Sequence, residues 1–286
     1  MGRVPPLLAG LIDDAAVFPP GNAPLPDAVA AHRRHRASWY ADLVGPLLLP
    51  VSELGRGGRP ELDDPANPIA VGLIGDTGIE RLPKALATLP PGVRLRQVEV
   101  PVARRGEDPQ PGLDRLLELA AGWPGVDTYA EVPLTRGLHA ALDRLAAERS
   151  TGARVAAKFR TGGLAAELFP TPAELAAVIC ACRDRSLPFK LTAGLHQAAR
   201  HTDRETGFTH HGFLNVLVAA AAAADGAEPA EVAQMLAVVD PEPLADAAAA
   251  ARQQNRPLWI GFGSCSIVEP LADLVRLGLM DGGEPE

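Results

Sequence analysis

Gln97-Val-Glu-Val-Pro101 returns as Tyr129-Ala-Glu-Val-Pro133, and Lys158-Phe-Arg-Thr-Gly162 returns more loosely as Lys190-Leu-Thr-Ala-Gly194. The interval is the same in both pairs, 97 to 129 and 158 to 190, and a spacing of roughly 30 residues is that of one strand-plus-helix unit. Parallel strands joined by helices bring like positions to the same end of a sheet, so the charged residues of the four stretches are expected around one mouth. Outward from these stretches, short apolar strands alternate with alanine- and leucine-rich helical segments. Strands are read near Val44–Pro50, Ile69–Ile74, Leu95–Val100, Thr128–Val132, Val155–Phe159, Pro188–Thr192, Met235–Val239 and Leu258–Phe262, with helices at Gly112–Ala121, Thr135–Ala147 and Pro172–Arg185 among them. Thr171-Pro-Ala-Glu174 opens one helix as a capping box with proline in its first turn, and Ser266-Ile-Val-Glu269 opens the last.

This pattern predicts an α/β fold, a (β/α)8 TIM-type barrel in one domain over 1–286, with the barrel at 43–280. Residues 1–42 are read as an N-terminal extension whose helix, Pro26–Tyr40, closes the bottom of the barrel or packs on its side. His196–Pro229 is read as an insertion after strand six. The seventh strand is short, so a seven-stranded or distorted barrel stays open. No linker marks a second domain.

The length suits one α/β barrel, and 47% hydrophobic with 22% charged residues is a globular composition. A net charge of −8 with scattered arginines speaks against nucleic acid as the main partner. The longest apolar run, Val216–Ala224, is far below the ~20 residues that span a bilayer, so no membrane partner is expected. Only Leu7–Ile12 precedes Asp13-Asp14, too little for a signal peptide, and Pro6 stands where myristoylation wants a hydroxyl. Three cysteines without metal spacing, two of them (Cys180 and Cys182) pointing apart on one helix, fit a reducing cytoplasm. A homo-oligomer is left open.

Of 27 basic residues three are lysines, Lys84, Lys158 and Lys190, and the last two end strongly apolar strands. Arginine cannot replace an amine that must lose its proton, and a charge at a C-terminal strand end of a barrel is commonly an active-site group. Glu99 and Glu131 are the matching carboxylates. With Lys158, Arg160, Lys190 and Thr192 they set two acids, two amines, a guanidinium and a hydroxyl around one rim, where neighbouring cations can lower an amine pKa and desolvation can raise an acid. Each glutamate also reads as half of a structural salt bridge. Gly162-Gly163, Gly194 and Gly261-Phe-Gly-Ser-Cys-Ser266, with Gly163, Gly194, Gly263 and Ser264 as substrate contacts, offer backbone N–H groups to an anion; Ser266 reads first as a helix cap. His196 is placed at the mouth as a general acid or base, and His210-His211-Gly212 in a lid with His211 against the substrate. His32, His35 and His139 read as solvated helix positions. Asp13-Asp14 read first as caps of an N-terminal turn and second as acids reaching the rim.

The strands Lys158-Phe-Arg-Thr-Gly-Gly163 and Lys190-Leu-Thr-Ala-Gly194 resemble the two lysine strands of Schiff-base aldolases of the deoxyribose-phosphate aldolase type. In that family a lysine in Lys-Thr-Ser-Thr-Gly forms the imine and a second, in Lys-Ala-Ser-Gly-Gly, lowers its pKa. The resemblance implies Lys158 as nucleophile and Lys190 as perturbing cation, and Ile260-Gly-Phe-Gly-Ser264 is similar to the family's phosphate-facing last strand. It covers only these short stretches. Phe159-Arg160 replaces a small polar pair, the lysines fall on strands five and six rather than six and seven, and the segment after His196 has no counterpart. The chain as a whole reads as a bacterial barrel.

The expected function is therefore a lyase, aldolase-like, using a lysine imine on a small anionic carbonyl compound, with no cofactor. Glu131 or Glu99 would shuttle protons, and Arg160 would hold the anion. A metal-dependent hydrolase or isomerase using Glu99, Glu131, His196 and His211 is the alternative, without the His-x-His signature after a first strand. A non-catalytic small-molecule-binding barrel is the third reading.

Overall fold

The computed structural model describes residues 4–54 and 59–282; the signal-peptide and myristoylation readings rest in part on residues 1–3, outside the described residues. Seven parallel strands follow one another around a barrel: β1 (Ile12–Asp14), β2 (Val44–Pro50), β3 (Ile69–Ile74), β4 (Val93–Pro101), β5 (Asp127–Glu131), β6 (Val155–Arg160) and β7 (Phe189–Thr192). A two-stranded antiparallel hairpin, β8 (His201–Thr202) and β9 (Thr209–His210), comes next. The eighth barrel strand, β10 (Trp259–Ser264), pairs with β7 on one side and β1 on the other and closes the ring. Helices between the strands form the outer layer of a (β/α)8 barrel. Strands covered on both faces must be apolar on both, as in β2, where Leu47, Leu48 and Leu49 are all buried.

Two strand assignments change. Met235–Val239 is not a strand: Met235 lies in the helix Pro229–Ala237, and Val239 is exposed. Its apolar run has helical spacing, with Val232 and Leu236 buried on one face, and the start carries Pro229 in the first turn and a capping box from Glu228 to Glu231. The missing strand is β1, inside the segment 1–42 read as an extension. Ile12-Asp13-Asp14 has low strand propensity, and its ladder is imposed by β10 and β2 on either side.

The strand count rises by one from β2 onward, which sets Lys158 on the sixth barrel strand and Lys190 on the seventh. The segment read as an insertion therefore follows β7, and its alanine helix, Phe213–Ala224, belongs to the outer layer with buried Phe213, Leu214, Val216 and Leu217. The N-terminal helix runs Leu25–Ala37 and packs by Leu25, Ala28, Val29 and His32 beside β2. His32 is buried rather than solvated, its Nδ1 donating to Asp14 Oδ2 at 3.0 Å. His35 is half-buried against the Tyr40 hydroxyl (2.9 Å), and His139 is exposed. The capping box at Thr171 and Glu174 forms as expected.

The described helices include none long and apolar enough to cross a membrane.

Candidate active site

The strand register decides how deep each charge sits. Lys158 pairs with Glu131 on one side and Lys190 on the other, so these three share one level near the C-terminal end of the barrel. Glu99 pairs with Tyr129, two residues before Glu131. At about 3.3 Å per residue this puts the base of Glu99 roughly one layer deeper, and the side chains agree: Glu99 is 1% exposed and Glu131 11%. The even offset keeps both carboxylates facing inward.

Inside the barrel these residues form one connected network. Lys158 Nζ lies 2.7 Å from Glu99 Oε2 and 2.8 Å from Glu131 Oε2. Lys190 Nζ contacts the other oxygen of Glu99 and Asp13 Oδ2, and it stands 4.9 Å from the centroid of the Tyr129 ring. Gln97 Nε2 donates to Asp13 Oδ2 (2.6 Å) and Glu99 Oε1 (2.8 Å). At the outer edge Arg160 Nε donates to Glu131 Oε1 at 3.1 Å. Three carboxylates face three cations, and each buried lysine touches two carboxylates, the arrangement that makes a buried charge tolerable.

The expected lowering of the lysine pKa values is not what this geometry produces. Burial pushes the Lys158 amine down, but Glu131 and Glu99 outweigh it and hold the group above the ordinary lysine range; Lys190 is raised in the same way by Asp13 and Glu99. Burial also works to raise the Glu99 carboxyl, yet the two ammoniums hold it at about 2. Glu131 is lowered by Lys158 and Arg160 against its own burial. At Asp13 burial wins and the carboxyl is raised. The cation-cation effect reasoned from the rim positions is cancelled because Glu99 stands between the two amines.

The network opens outward through Glu131 and Arg160, which line a cleft of about 190 Å³ with Arg105, Leu134, Leu168 and Glu174. Around the rest of the rim the expected contacts divide. Thr192 is half-buried beside Arg160 on the neighbouring strand. Gly163 and Gly194 lie in the loops after β6 and β7, which pack on each other: Thr161 Oγ1 donates to the Ala193 carbonyl at 2.7 Å, and Ala193 and Gly194 both take positive φ, 67° and 81°. Gly263 is buried within β10, and Ser264 is buried with its hydroxyl donating to the Ser266 carbonyl at 2.7 Å. Ser266 Oγ accepts from the Glu269 N–H (3.2 Å) from one residue before the last helix's N-cap position, Ile267.

The histidines do not join the network. His211 is buried and donates from Nε2 to the Pro170 carbonyl (2.8 Å), and burial lowers its pKa to about 4. The hairpin before it lies against the loop after β6, with Phe208 stacked on Phe169 at 4.7 Å and His210 edge-on to the same ring at 4.9 Å. His196 pairs with Glu269. Glu99, Glu131, His196 and His211 therefore do not assemble as a ligand set, and among the described residues no group of three or more His, Cys, Asp or Glu is placed to hold a metal.

Sequence reasoning put Asp13 second and omitted Gln97. The signal for Asp13 was an acid embedded between apolar residues. For Gln97 only its position two residues before Glu99, on the same strand face, pointed inward.

Gly45 makes the network possible. A Cβ built there would lie 1.9 Å from Asp13 Oδ1, and that carboxylate is fixed by Lys190 and Gln97. Gly45→Ala is expected to destabilise the protein by about 1–3 kcal/mol, the cost typical of overpacking, read as a lower urea midpoint at unchanged m. An unchanged midpoint would show that the carboxylate is not held in place.

Compared with known proteins, the chain matches no family model, no curated protein and no solved structure.

Proposed function

We propose that this protein is a carbon–carbon lyase acting on a small anionic carbonyl compound, with Lys158 meeting the carbonyl group. The observation that carries the reading is an amine buried between two carboxylates at 2.7 and 2.8 Å, behind a cleft whose edge bears Arg160 and Arg105. A substrate carboxylate or phosphate at Arg160 draws that guanidinium away from Glu131. Glu131 then keeps only Lys158 as a cation partner, and its carboxylate becomes a stronger base. It takes the proton of a hydroxyl β to the carbonyl, the carbon–carbon bond breaks, and the electron pair moves to the carbonyl oxygen as an enolate. The Lys158 ammonium stabilises that oxygen by a charge-assisted hydrogen bond in a site screened from water. The proton on Glu131 returns to the enolate carbon.

A lysine imine is the second reading. It is favoured by the recounted strands, which set the lysines on β6 and β7 as the aldolase resemblance implies, and by Glu131 lying within reach of the ammonium proton. The ammonium route needs no deprotonation against raised amine pKa values, and for that reason it stands first. Three unpaired cysteines fit a reducing cytoplasm.

A panel of small β-hydroxy aldehydes, ketones and ketoacids, each bearing a carboxylate or phosphate, tests both. Cleavage of at least one member is expected. If borohydride added during turnover leaves no adduct on Lys158, the ammonium route holds; a reduced adduct there, located by peptide mass spectrometry, selects the imine. Adducts favouring the exposed Lys84, or cleavage that survives Lys158→Ala, reject both.

A further inference from the structure

The cleft that opens from the lysine network carries its charges unevenly. Its inner end is the Glu131–Arg160 pair, and its walls are apolar at Val132, Pro133, Leu134 and Leu168. Three further charged residues line it: Arg105 from the loop after β4, Glu167 from the short turn Ala166–Leu168 after β6, and Glu174 from the first turn of the helix Pro172–Arg183. Strand β5 lies between β4 and β6, so Arg105 and the two glutamates approach the cleft from opposite sides of the β5 end. The Thr171 backbone N–H and hydroxyl hold the Glu174 carboxyl below its usual range, with Arg105 adding to the effect, so Glu174 is ionised and already engaged as a helix cap. Arg105 and Glu167 are both exposed, and neither makes a hydrogen bond or an ion pair.

We propose that the compound this cleft accepts is a zwitterion, with an ammonium group directed to Glu167 as well as the anionic group held at Arg160. The inference rests on the lyase reading, which puts the substrate anion at Arg160 and leaves Glu131 paired with Lys158. The charges that then remain on the lining are Arg105, Glu167 and Glu174, one cation against two carboxylates. A second anion on the substrate meets that excess as repulsion, and a cation meets it as attraction. Glu167 is the member of the set able to receive the cation, because it has no protein contact to break first. The apolar walls between the inner pair and the outer charges suit a short methylene chain joining the two ends of the substrate. Dicarboxylates and doubly phosphorylated compounds are disfavoured by the same excess of negative charge.

Ligand-observed NMR titrations of the native protein at low ionic strength test this without turnover. The probes are butyrate, 4-hydroxybutyrate, 4-aminobutyrate and succinate, which share a carboxylate and a chain length and differ in the charge and polarity of the far end. 4-Aminobutyrate is expected to bind roughly twofold to fivefold more tightly than butyrate, the range of a partly exposed ion pair, and succinate more weakly than butyrate. The gain should shrink as salt is added. Glu167→Lys changes an exposed side chain with no protein contact, so the fold is not at stake, and it should reverse the order so that succinate binds best. Native binding of 4-aminobutyrate no tighter than that of butyrate or 4-hydroxybutyrate overturns the proposal, as does a Glu167→Lys protein that keeps the native order. Failure of every probe to bind, butyrate included, would instead remove the anion site at Arg160, and the lyase reading would fall together with the inference built on it.

Discussion

Glu99→Ala is expected to lower stability by about 3–5 kcal/mol, the cost of removing one partner from a buried ion pair. Glu99 is fully buried and is the only group touched by both lysines in the described network. Its loss leaves two buried ammoniums facing the same gap, each with one carboxylate remaining. The effect should depend on pH. A carboxyl held at about 2 in the fold and near ~4.3 when unfolded contributes stability above the unfolded value and loses it as pH falls towards the folded one. The raised lysines act at the other end: their contribution is complete below the unfolded value near ~10.4 and is lost as pH rises through their folded values. Urea unfolding should therefore show the parent protein losing stability between about pH 5 and pH 2, and Glu99→Ala should be less stable at pH 7 with a flatter acid limb. Equal midpoints at pH 7 would remove the network from any account of the fold.

Lys158→Met is expected to lower kcat/KM by roughly 10²-fold to 10³-fold on whichever panel compound is cleaved, the usual cost of deleting a donor to a developing oxyanion. Its stability cost should be smaller than that of Glu99→Ala, because Glu99 keeps Lys190 and Glu131 keeps Arg160. Arg160→Lys separates binding from chemistry. The substitution preserves charge and removes the planar fork suited to a carboxylate or phosphate, so KM should rise with kcat and melting temperature little changed. A kcat/KM that Lys158→Met leaves undiminished, or an Arg160→Lys enzyme with native KM for every anionic substrate, would count against the assigned roles.

The amine and carboxylate network is gathered from β1, β4, β5, β6 and β7. Chemistry spread over several strand ends is characteristic of this barrel class, because its loops vary while the sheet holds their roots rigid.

The sequence by itself determined the repeating strand-and-helix pattern, seven of the eight barrel strands within a residue or two at most ends, and the convergence of Glu99, Glu131, Lys158 and Lys190. Those features rest on local spacing, the 32-residue interval between like strands and alternating apolar runs, and local spacing is written in one dimension. Only the tertiary structure decided the rest. Ile12-Asp13-Asp14 is a strand because two neighbours supply its ladder and Lys190 and Gln97 supply its buried acid with partners, none of them near it in the chain. The two-residue offset of β4 against β5 buries Glu99 below Glu131 and so sets one carboxylate between both amines. That contact reverses the sign of the lysine pKa shifts, because the field at a buried amine is set by the charges packed against it, and the packing follows from barrel closure.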